Sequence, residues 1–168
     1  HGVSAGPMTP IVNHLYDLPE DDGFAIAKYI ESLRPNLPTE AATAELVAFA
    51  AEREWDPENP PSYDDPGLQA GVEAFDDLCA NCHKVGGTTV PLALTSTVRM
   101  PEALNVMNII FDGVRPPLGA RDHSMPEFGA SLTDENIADV LRFVRVQYTN
   151  LPAWEHLEEI IAEKRENW

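Results

Sequence analysis

The sequence has few cysteines and no long apolar run. Only two cysteines occur among its 168 residues, which excludes a scaffold held together by several disulfides. No apolar stretch reaches the roughly 18 residues that a membrane-spanning helix requires. The chain begins at His1 without a basic and apolar leader, so we expect a mature or trimmed product from which any targeting signal has been removed.

Basic residues are also scarce. The 11 lysines and arginines stand against 28 aspartates and glutamates, which gives a formal net charge of −17. This charge argues against binding to nucleic acid and against docking on anionic lipid. It leaves two interpretations open: a well-solvated acidic surface, or an acidic face that steers a basic partner protein.

Apolar residues recur at helical spacing, whereas strand signals are weak throughout. Glycine and proline interrupt residues 1–14, so this segment is expected to be irregular. The pattern predicts an all-α protein. The predicted helices are, in chain order, 19–33, 40–54, Leu68 to Cys79, 102–112, a strong helix opened by Thr133, and a last amphipathic helix from Pro152 to about Glu166.

The composition divides the chain at residues 56–67, which hold four prolines and four acids and read as a linker. We therefore expect a helical N-terminal segment over 1–55, a main domain over 68–151 and a C-terminal amphipathic helix over 152–168. An internal repeat crosses this division. Residues 18–30 align without gaps on residues 132–144 at an offset of 114, and a Met-Pro loop precedes each block.

The two cysteines lie three residues apart, and a histidine follows at once: Cys79, Cys82 and His83. A disulfide between the cysteines would close a small strained loop, a zinc site would need further ligands, and a thioredoxin-like motif would need a βαβ context. The spacing C-x-x-C-H instead predicts covalent attachment of one haem c. Two thiols on one helical turn bond the two vinyl groups, and the histidine is placed under the iron.

A haem has two faces, so a second axial ligand is expected from downstream. Met125 is the preferred candidate because it lies in a Pro/Gly loop directly before a helix. A thioether ligand favours reduced iron and raises the reduction potential. The alternatives are Met100 at a helix start, His123, which would make a bis-histidine haem, and Met107, which has core spacing. An open sixth site would point towards peroxidase or gas-sensing chemistry.

Arginines lie in both loops that flank the expected haem. A partly buried propionate needs a cationic or donor partner, and at least one of Arg99, Arg115 and Arg121 is expected to supply it. We take Arg121 as the candidate.

Residues 68–149 resemble a class I cytochrome c domain. The residues that carry the resemblance are Gly71 and Phe75 before the cysteine motif, Pro91-Leu92, Met125-Pro126-Glu127-Phe128, and the helix LTDENIADVLRFVRVQY. The resemblance implies a class I cytochrome c fold around one haem, in which Gly71 and Phe75 pack against Phe143. It also implies that the Pro91 carbonyl accepts a hydrogen bond from Nδ1 of His83.

Residues 79–154 most resemble the last domain of multi-haem cytochrome c subunits that serve bacterial membrane-associated dehydrogenases. Residues 6–33 resemble the methionine loop and final helix of a preceding domain without its haem motif. In that interpretation Met8 is a packing or surface residue, or ligates a haem supplied by another polypeptide.

The resemblance implies an electron carrier rather than an enzyme. Its donor would be a dehydrogenase, its acceptor a cytochrome or oxidase, and its setting a hetero-oligomer. Two alternatives stay open: a peroxidase-like haem enzyme with an open or displaceable sixth ligand, and a mainly structural or docking subunit of a redox complex. Haem c is attached outside the cytoplasm, so we expect the bacterial periplasm, with possible membrane association through a partner or a lost segment.

Overall fold

The computed structural model describes residues 8–33, 39–87, 89–115 and 124–168. Within these ranges the chain is helical, without strands apart from a single antiparallel bridge between Val114 and Met125. The predicted all-α class is confirmed. The α-helices of the described ranges are α1 (Thr9–Leu15), α2 (Glu20–Ser32), α3 (Glu40–Ala51), α4 (Pro66–Leu78), α5 (Leu104–Asp112), α6 (Asp134–Tyr148) and α7 (Leu157–Glu166), with short 3-10 helices at Leu92–Leu94 and Thr97–Arg99.

Local capping explains where three of the helices begin. Thr39 caps α3, Asp65 caps α4 and Thr133 caps α6. Each uses a side-chain oxygen that accepts a hydrogen bond from the backbone N–H three residues later, at 2.9 to 3.2 Å. These bonds satisfy backbone donors that a helix leaves free in its first turn.

Helices α4 and α6 cross at close range, as the resemblance implies. A Cβ atom at Gly71 would lie 2.3 Å from the backbone oxygen of Asp139 and 2.7 Å from Cβ of Phe143. The Phe75 and Phe143 rings pack beside this point with centroids 5.2 Å apart. Trp55 joins the cluster, 5.0 Å from the ring of Phe75. The contact between the two backbones requires glycine because no side chain fits there.

Helix α6 lies at the centre of the core, and α7 covers one side of it. Nine of the 15 residues of α6 are buried. From α7, Leu157 and Ile161 are buried against the core. Lys164 of α7 forms an ion pair with Asp112 at the end of α5, at 2.9 Å. The C-terminal helix is therefore fastened both to the core and to α5.

One buried arginine ties the loop before α5 to α6. The guanidinium of Arg145 donates to the carbonyls of Val98 at 2.6 Å, Met100 at 2.9 Å and Pro152 at 3.2 Å. It also lies 4.6 Å from the ring of Trp154. Burial is the main cause that lowers the pKa of Arg145, and nearby Arg99 adds to it. The three carbonyls replace the water that this charge loses on folding.

The N-terminal part differs from expectation in one respect. The predicted irregular segment contains the helix α1, in which Pro10 occupies the first turn. Proline is tolerated there because its missing N–H has no intrahelical partner. Neither α1 nor α2 buries a residue. Over the described ranges, no helix is both long and apolar enough to cross a bilayer.

Helix α3 and the residues after it belong to the main core. Ala50 and Trp55 are each 1% exposed, and the Trp55 carbonyl accepts a hydrogen bond from Val85 N at 2.9 Å. Within the segment predicted as a linker, Tyr63 donates its hydroxyl to Gln147 of α6 at 2.8 Å. The division at residues 56–67 stays a prediction. The contacts show that α3 and Trp55, which precede this segment, pack on the domain that follows it.

Candidate haem site

The three residues of the C-x-x-C-H motif share one helical turn at the end of α4. The backbone N–H of Cys79 donates to Phe75 at 2.8 Å, and the N–H groups of Cys82 and His83 both donate to the Cys79 carbonyl, at 3.1 and 3.0 Å. Both cysteines are free thiols; Cys79 is half-buried and Cys82 is exposed. The turn places two thiols and an imidazole within one short stretch of backbone, as double thioether attachment requires.

Burial sets the protonation of this turn. It raises the pKa of the Cys79 thiol to about 12, with neighbouring Cys82 contributing. It lowers the pKa of His83 below its ordinary value. The imidazole is therefore neutral at pH 7, which is the form that ligates a metal. A thioether at Cys79 carries no charge, so it suits this apolar setting.

A cavity open to solvent lies beside His83, and Trp55 and Tyr148 form part of its wall. These two side chains are 1% and 2% exposed. Neither Trp55 Nε1 nor Tyr148 Oη has a hydrogen-bond partner among the described residues. Such donors suit a group that brings its own acceptors, and together with the two thiols and the neutral imidazole they fit haem c. The lining residues are Glu54, Trp55, His83, Lys84, Thr89, Val90, Pro91, Leu92 and Tyr148.

The ring of His83 has a close polar neighbour. Its Nδ1 lies 3.3 Å from Oγ1 of Thr89, which itself donates to the Cys82 carbonyl at 3.0 Å. Pro91 lines the same cavity as His83, and the Pro91 carbonyl accepts a hydrogen bond from Leu94 N at 2.9 Å. The hydrogen bond between His83 and Pro91 stays a prediction. Thr89 is the neighbour that the contacts give to the imidazole.

Met125 lies in a loop fixed to the end of α5. Its backbone pairs with Val114 through two hydrogen bonds of 2.9 Å, and its side chain is partly buried against the core. Gly113, with φ of +68°, makes this approach possible. A Cβ atom there would lie 2.6 Å from the Met125 carbonyl oxygen. Met125 is not among the residues that line the cavity beside His83.

The other candidate iron ligands, and the arginines expected to pair with a haem propionate, differ in their surroundings. Met100 is 44% exposed, while Met107 is 2% exposed in the core, where its spacing predicts it. His123 and Arg121 lie outside the described residues. Arg99 donates to the Ala93 carbonyl at 2.9 Å.

Arg115 is the remaining propionate candidate. Its guanidinium lies 3.8 Å from the Glu127 carboxylate, and the Arg115 side chain is 83% exposed. The role of Arg121 stays a prediction.

Sequence reasoning missed three residues of the site: Trp55, Thr89 and Tyr148. The sequence pattern puts Trp55 at the end of a separate segment and Tyr148 only within a helix. Thr89 lies in a loop without a periodic pattern. One feature of the sequence could have indicated Thr89 as a neighbour of His83. The two residues are only six positions apart, so a loop between them can bring their side chains within hydrogen-bond distance.

An all-α domain with a C-x-x-C-H turn and a half-buried histidine of lowered pKa is typical of a c-type cytochrome. Residues 66–144 match a family model described as "Cytochrome C oxidase, cbb3-type, subunit III". This match confirms the predicted resemblance to a cytochrome c domain.

The chain is similar to curated subunits of bacterial dehydrogenases. It is 32% identical to a subunit of the nicotinate dehydrogenase of Pseudomonas putida, over 99% of this chain and 14% of that protein. It is 30% identical to the gluconate 2-dehydrogenase cytochrome c subunit of Pantoea cypripedii, over 89% of this chain and 34% of that protein.

A third relative is the cytochrome c subunit of the quinone alcohol dehydrogenase of Gluconacetobacter polyoxogenes, 30% identical over 78% of this chain and 28% of that protein. The chain thus spans between about a seventh and a third of the length of these relatives.

Proposed function

We propose that this chain is an electron-transfer cytochrome in which Cys79 and Cys82 would hold one haem c through thioether bonds, and His83 and Met125 would ligate its iron. The observation on which the proposal rests is the single turn that ends α4. It brings two thiols and a half-buried, neutral imidazole together in the part of the chain that matches the cytochrome c family model.

When bound, haem c supplies an iron that accepts and releases single electrons without forming a bond to substrate. The chain's own residues hold and orient the group. Cys79 and Cys82 anchor it covalently, and the depressed pKa of His83 keeps the imidazole free to ligate. Thr89 lies 3.3 Å from Nδ1 of His83. A hydrogen bond at that nitrogen fixes the ring orientation and its basicity.

Met125 is the second ligand in this proposal. Its loop is held by backbone hydrogen bonds to Val114, and its side chain reaches the core without being fully enclosed. The side chain of Met100 is exposed, and that of Met107 is buried in the core. Met125, which is partly buried, is therefore preferred to both. Electron transfer needs no general acid, base or nucleophile, and we assign no catalytic residue.

We further propose that the chain works within a dehydrogenase complex in the bacterial periplasm. The dehydrogenase would be the donor, and a cytochrome or oxidase the acceptor. Support comes from the relatives, which are named as subunits of nicotinate, gluconate and alcohol dehydrogenases. A thioether-bound haem is consistent with the predicted location.

The N-terminal helices support the presence of a second cytochrome unit. Helices α2 and α6 begin at equivalent positions of the internal repeat, Glu20 and Asp134. Ile26 and Tyr29 correspond to buried Val140 and Phe143, yet they are 43% and 64% exposed. We propose that residues 8–33 are the methionine loop and last helix of a second cytochrome unit, whose remaining helices would cover these residues.

The axial ligand is tested by Met125→Leu in the haem-loaded protein. Leucine keeps the size and apolarity of the side chain but removes the thioether. The weak red charge-transfer band of the ferric protein, which marks methionine ligation, should disappear. The reduction potential should fall by on the order of 0.1 V, within the ~0.8 V range that axial ligands span. The intact mass of the same sample counts the covalently bound haems.

Met100→Leu is the matched control, since it changes the same residue type at an exposed position. It should leave both the band and the potential unchanged. A wild-type spectrum with high-spin features and no red band would reject methionine ligation and favour a haem enzyme with an open sixth site. Loss of the band in Met100→Leu would move the ligand to Met100.

A further inference from the structure

The C-terminal helix α7 contacts the loop that carries Met125. This Met125 loop, residues 125–132, runs from the bridge with Val114 to the start of α6. Arg165 of α7 donates its guanidinium to two carbonyls of this loop: to Gly129, and to Leu132 at 2.9 Å. Its Nε also donates to the Asp134 carboxylate at 2.8 Å. One side chain therefore contacts the loop behind Met125 at two points and the first residue of α6 at a third.

The opposite side of the same loop is fixed to α5. The N–H of Phe128 donates to Ile110 at 2.9 Å, and the N–H of Gly129 donates to Phe111 at 3.3 Å. The guanidinium of Arg165 lies 4.7 Å from the ring of fully buried Phe111. Gly129 is therefore held between α5 and α7, four residues after Met125.

The ion pair with Asp134 does not account for this arrangement. The side chains of Arg165 and Asp134 are 30% and 46% exposed, and ion pairs with such exposure contribute little to stability. Hydrogen bonds from a charged donor to loop carbonyls are stronger than neutral ones. The two carbonyl contacts are thus the part of the interaction that restrains the loop.

We propose that Arg165 is a positioning residue for the sixth ligand: by holding Gly129 and Leu132, it determines how readily the Met125 loop leaves the iron. The inference rests on the proposed function, because it requires Met125 to ligate iron. Arg165 lies beyond residues 66–144 of the cytochrome c domain match. The C-terminal helix would therefore regulate ligation from outside that domain.

Exogenous imidazole measures the opening of the loop, since it binds ferric haem only where Met125 has left. Its apparent affinity is proportional to the fraction of molecules with an open loop. Imidazole titrations of ferric, haem-loaded wild type, Arg165→Ala, Arg165→Lys and Met125→Leu would be compared. Arg165→Ala should bind about tenfold more tightly than wild type, which corresponds to ~1.4 kcal/mol. Arg165→Lys should fall between them, because a lysine is a point donor rather than a fork.

Arg142→Ala is the matched control. Arg142 of α6 also reaches α7: it pairs with Glu158 of α7 and, within α6 itself, with Asp139 at 2.9 Å. These ion pairs do not involve the Met125 loop, so their loss should leave imidazole affinity unchanged. Equal shifts in Arg142→Ala and Arg165→Ala, or no shift in Arg165→Ala, would overturn the proposal. Circular dichroism establishes that each variant is folded, and Arg165→Lys carries the test should Arg165→Ala not fold.

Failure of the proposed function looks different from failure of this inference. Met125→Leu gives the intrinsic imidazole affinity of a haem without a competing thioether. If wild type binds imidazole as tightly as Met125→Leu, methionine is not the ligand, and the proposed ligation fails. If wild type binds more weakly but Arg165→Ala does not differ from it, Met125 ligates and only the role of Arg165 is rejected.

Discussion

The close contact between α4 and α6 depends on the absence of a side chain at Gly71. Gly71 presents no side chain where a Cβ atom would lie 2.3 Å from the Asp139 backbone oxygen. The clash is with backbone, so no rotation of a side chain can relieve it. Position 71 is therefore one at which the fold tolerates only glycine.

We expect Gly71→Ala to lower the free energy of unfolding by about 3 kcal/mol, since overpacking of this kind costs ~1–3 kcal/mol and the neighbouring backbone cannot yield. Chemical denaturation followed by circular dichroism measures the loss. Gly67→Ala is the control on the same helix, where the nearest atom to a new Cβ is 3.4 Å away. It should leave stability unchanged or raise it by up to ~1 kcal/mol. Equal stability of Gly71→Ala and wild type would contradict the close crossing.

Residue identity alone predicted the parts of the site that are close in sequence. Cys79, Cys82 and His83 lie within one turn, and their spacing predicts haem attachment. Trp55 and Tyr148 were not predicted as parts of the His83 cavity, because they come from positions far before and far after it in the chain. Thr89 has a residue type that is common in loops, so nothing in the sequence distinguishes it, and its place beside Nδ1 of His83 depends on how the loop folds.

At the scale of elements, the Met125 loop depends on how α5 ends. Gly113 follows α5 with φ of +68° and ψ of −175°, a backbone conformation that is almost restricted to glycine and costs other residues roughly 1–3 kcal/mol. The Met125 carbonyl, the Glu127 N–H and the Pro126 carbonyl carbon all lie within 3 Å of where a Cβ atom would be. The predicted end of this helix at residue 112 is confirmed, and the contacts explain why a glycine follows it.

We expect Gly113→Ala to displace the Met125 loop and to remove the red charge-transfer band of the ferric protein. Gly86→Ala is the control: Gly86 also has φ of +68°, yet nothing lies within 4 Å of a Cβ placed there. That variant should retain the band and lose only ~1–2 kcal/mol through backbone strain. A Gly113→Ala spectrum like that of wild type would show that the loop does not depend on this contact.

Helix prediction was accurate where caps and periodicity agree, and wrong where proline was read only as a breaker. Thr39 and Thr133 both cap the predicted helices. Helix α1 was missed because Pro10 lies in its first turn, where proline is compatible with a helix. Helix α5 begins at Leu104 rather than directly after Pro101.

For the whole molecule, the net charge of −17 is the dominant long-range property. We expect it to govern the rate of electron exchange with small charged reagents. Oxidation of the ferrous protein by a cationic metal complex should slow as the salt concentration rises, and oxidation by an anionic complex should accelerate. Salt has this effect because the distance over which charges act falls to about 10 Å at 0.1 M ionic strength. Stopped-flow absorbance measures both rates. Two salt-independent rates would indicate that the acidic residues lie away from the haem edge, as a solvated surface without a steering role would require.

Local sequence patterns were enough to predict the helical class, the C-x-x-C-H motif and the resemblance to cytochrome c. These follow from local patterns: periodicity, capping residues and a spacing of three. No such pattern predicts that Trp55 packs on Phe75, that Thr89 lies beside His83, or that Arg165 donates to the carbonyls of the Met125 loop. Each of these contacts joins residues brought together by the packing of whole helices. Burial then makes a contact matter, because it removes the water that would otherwise compete for the same donors and acceptors.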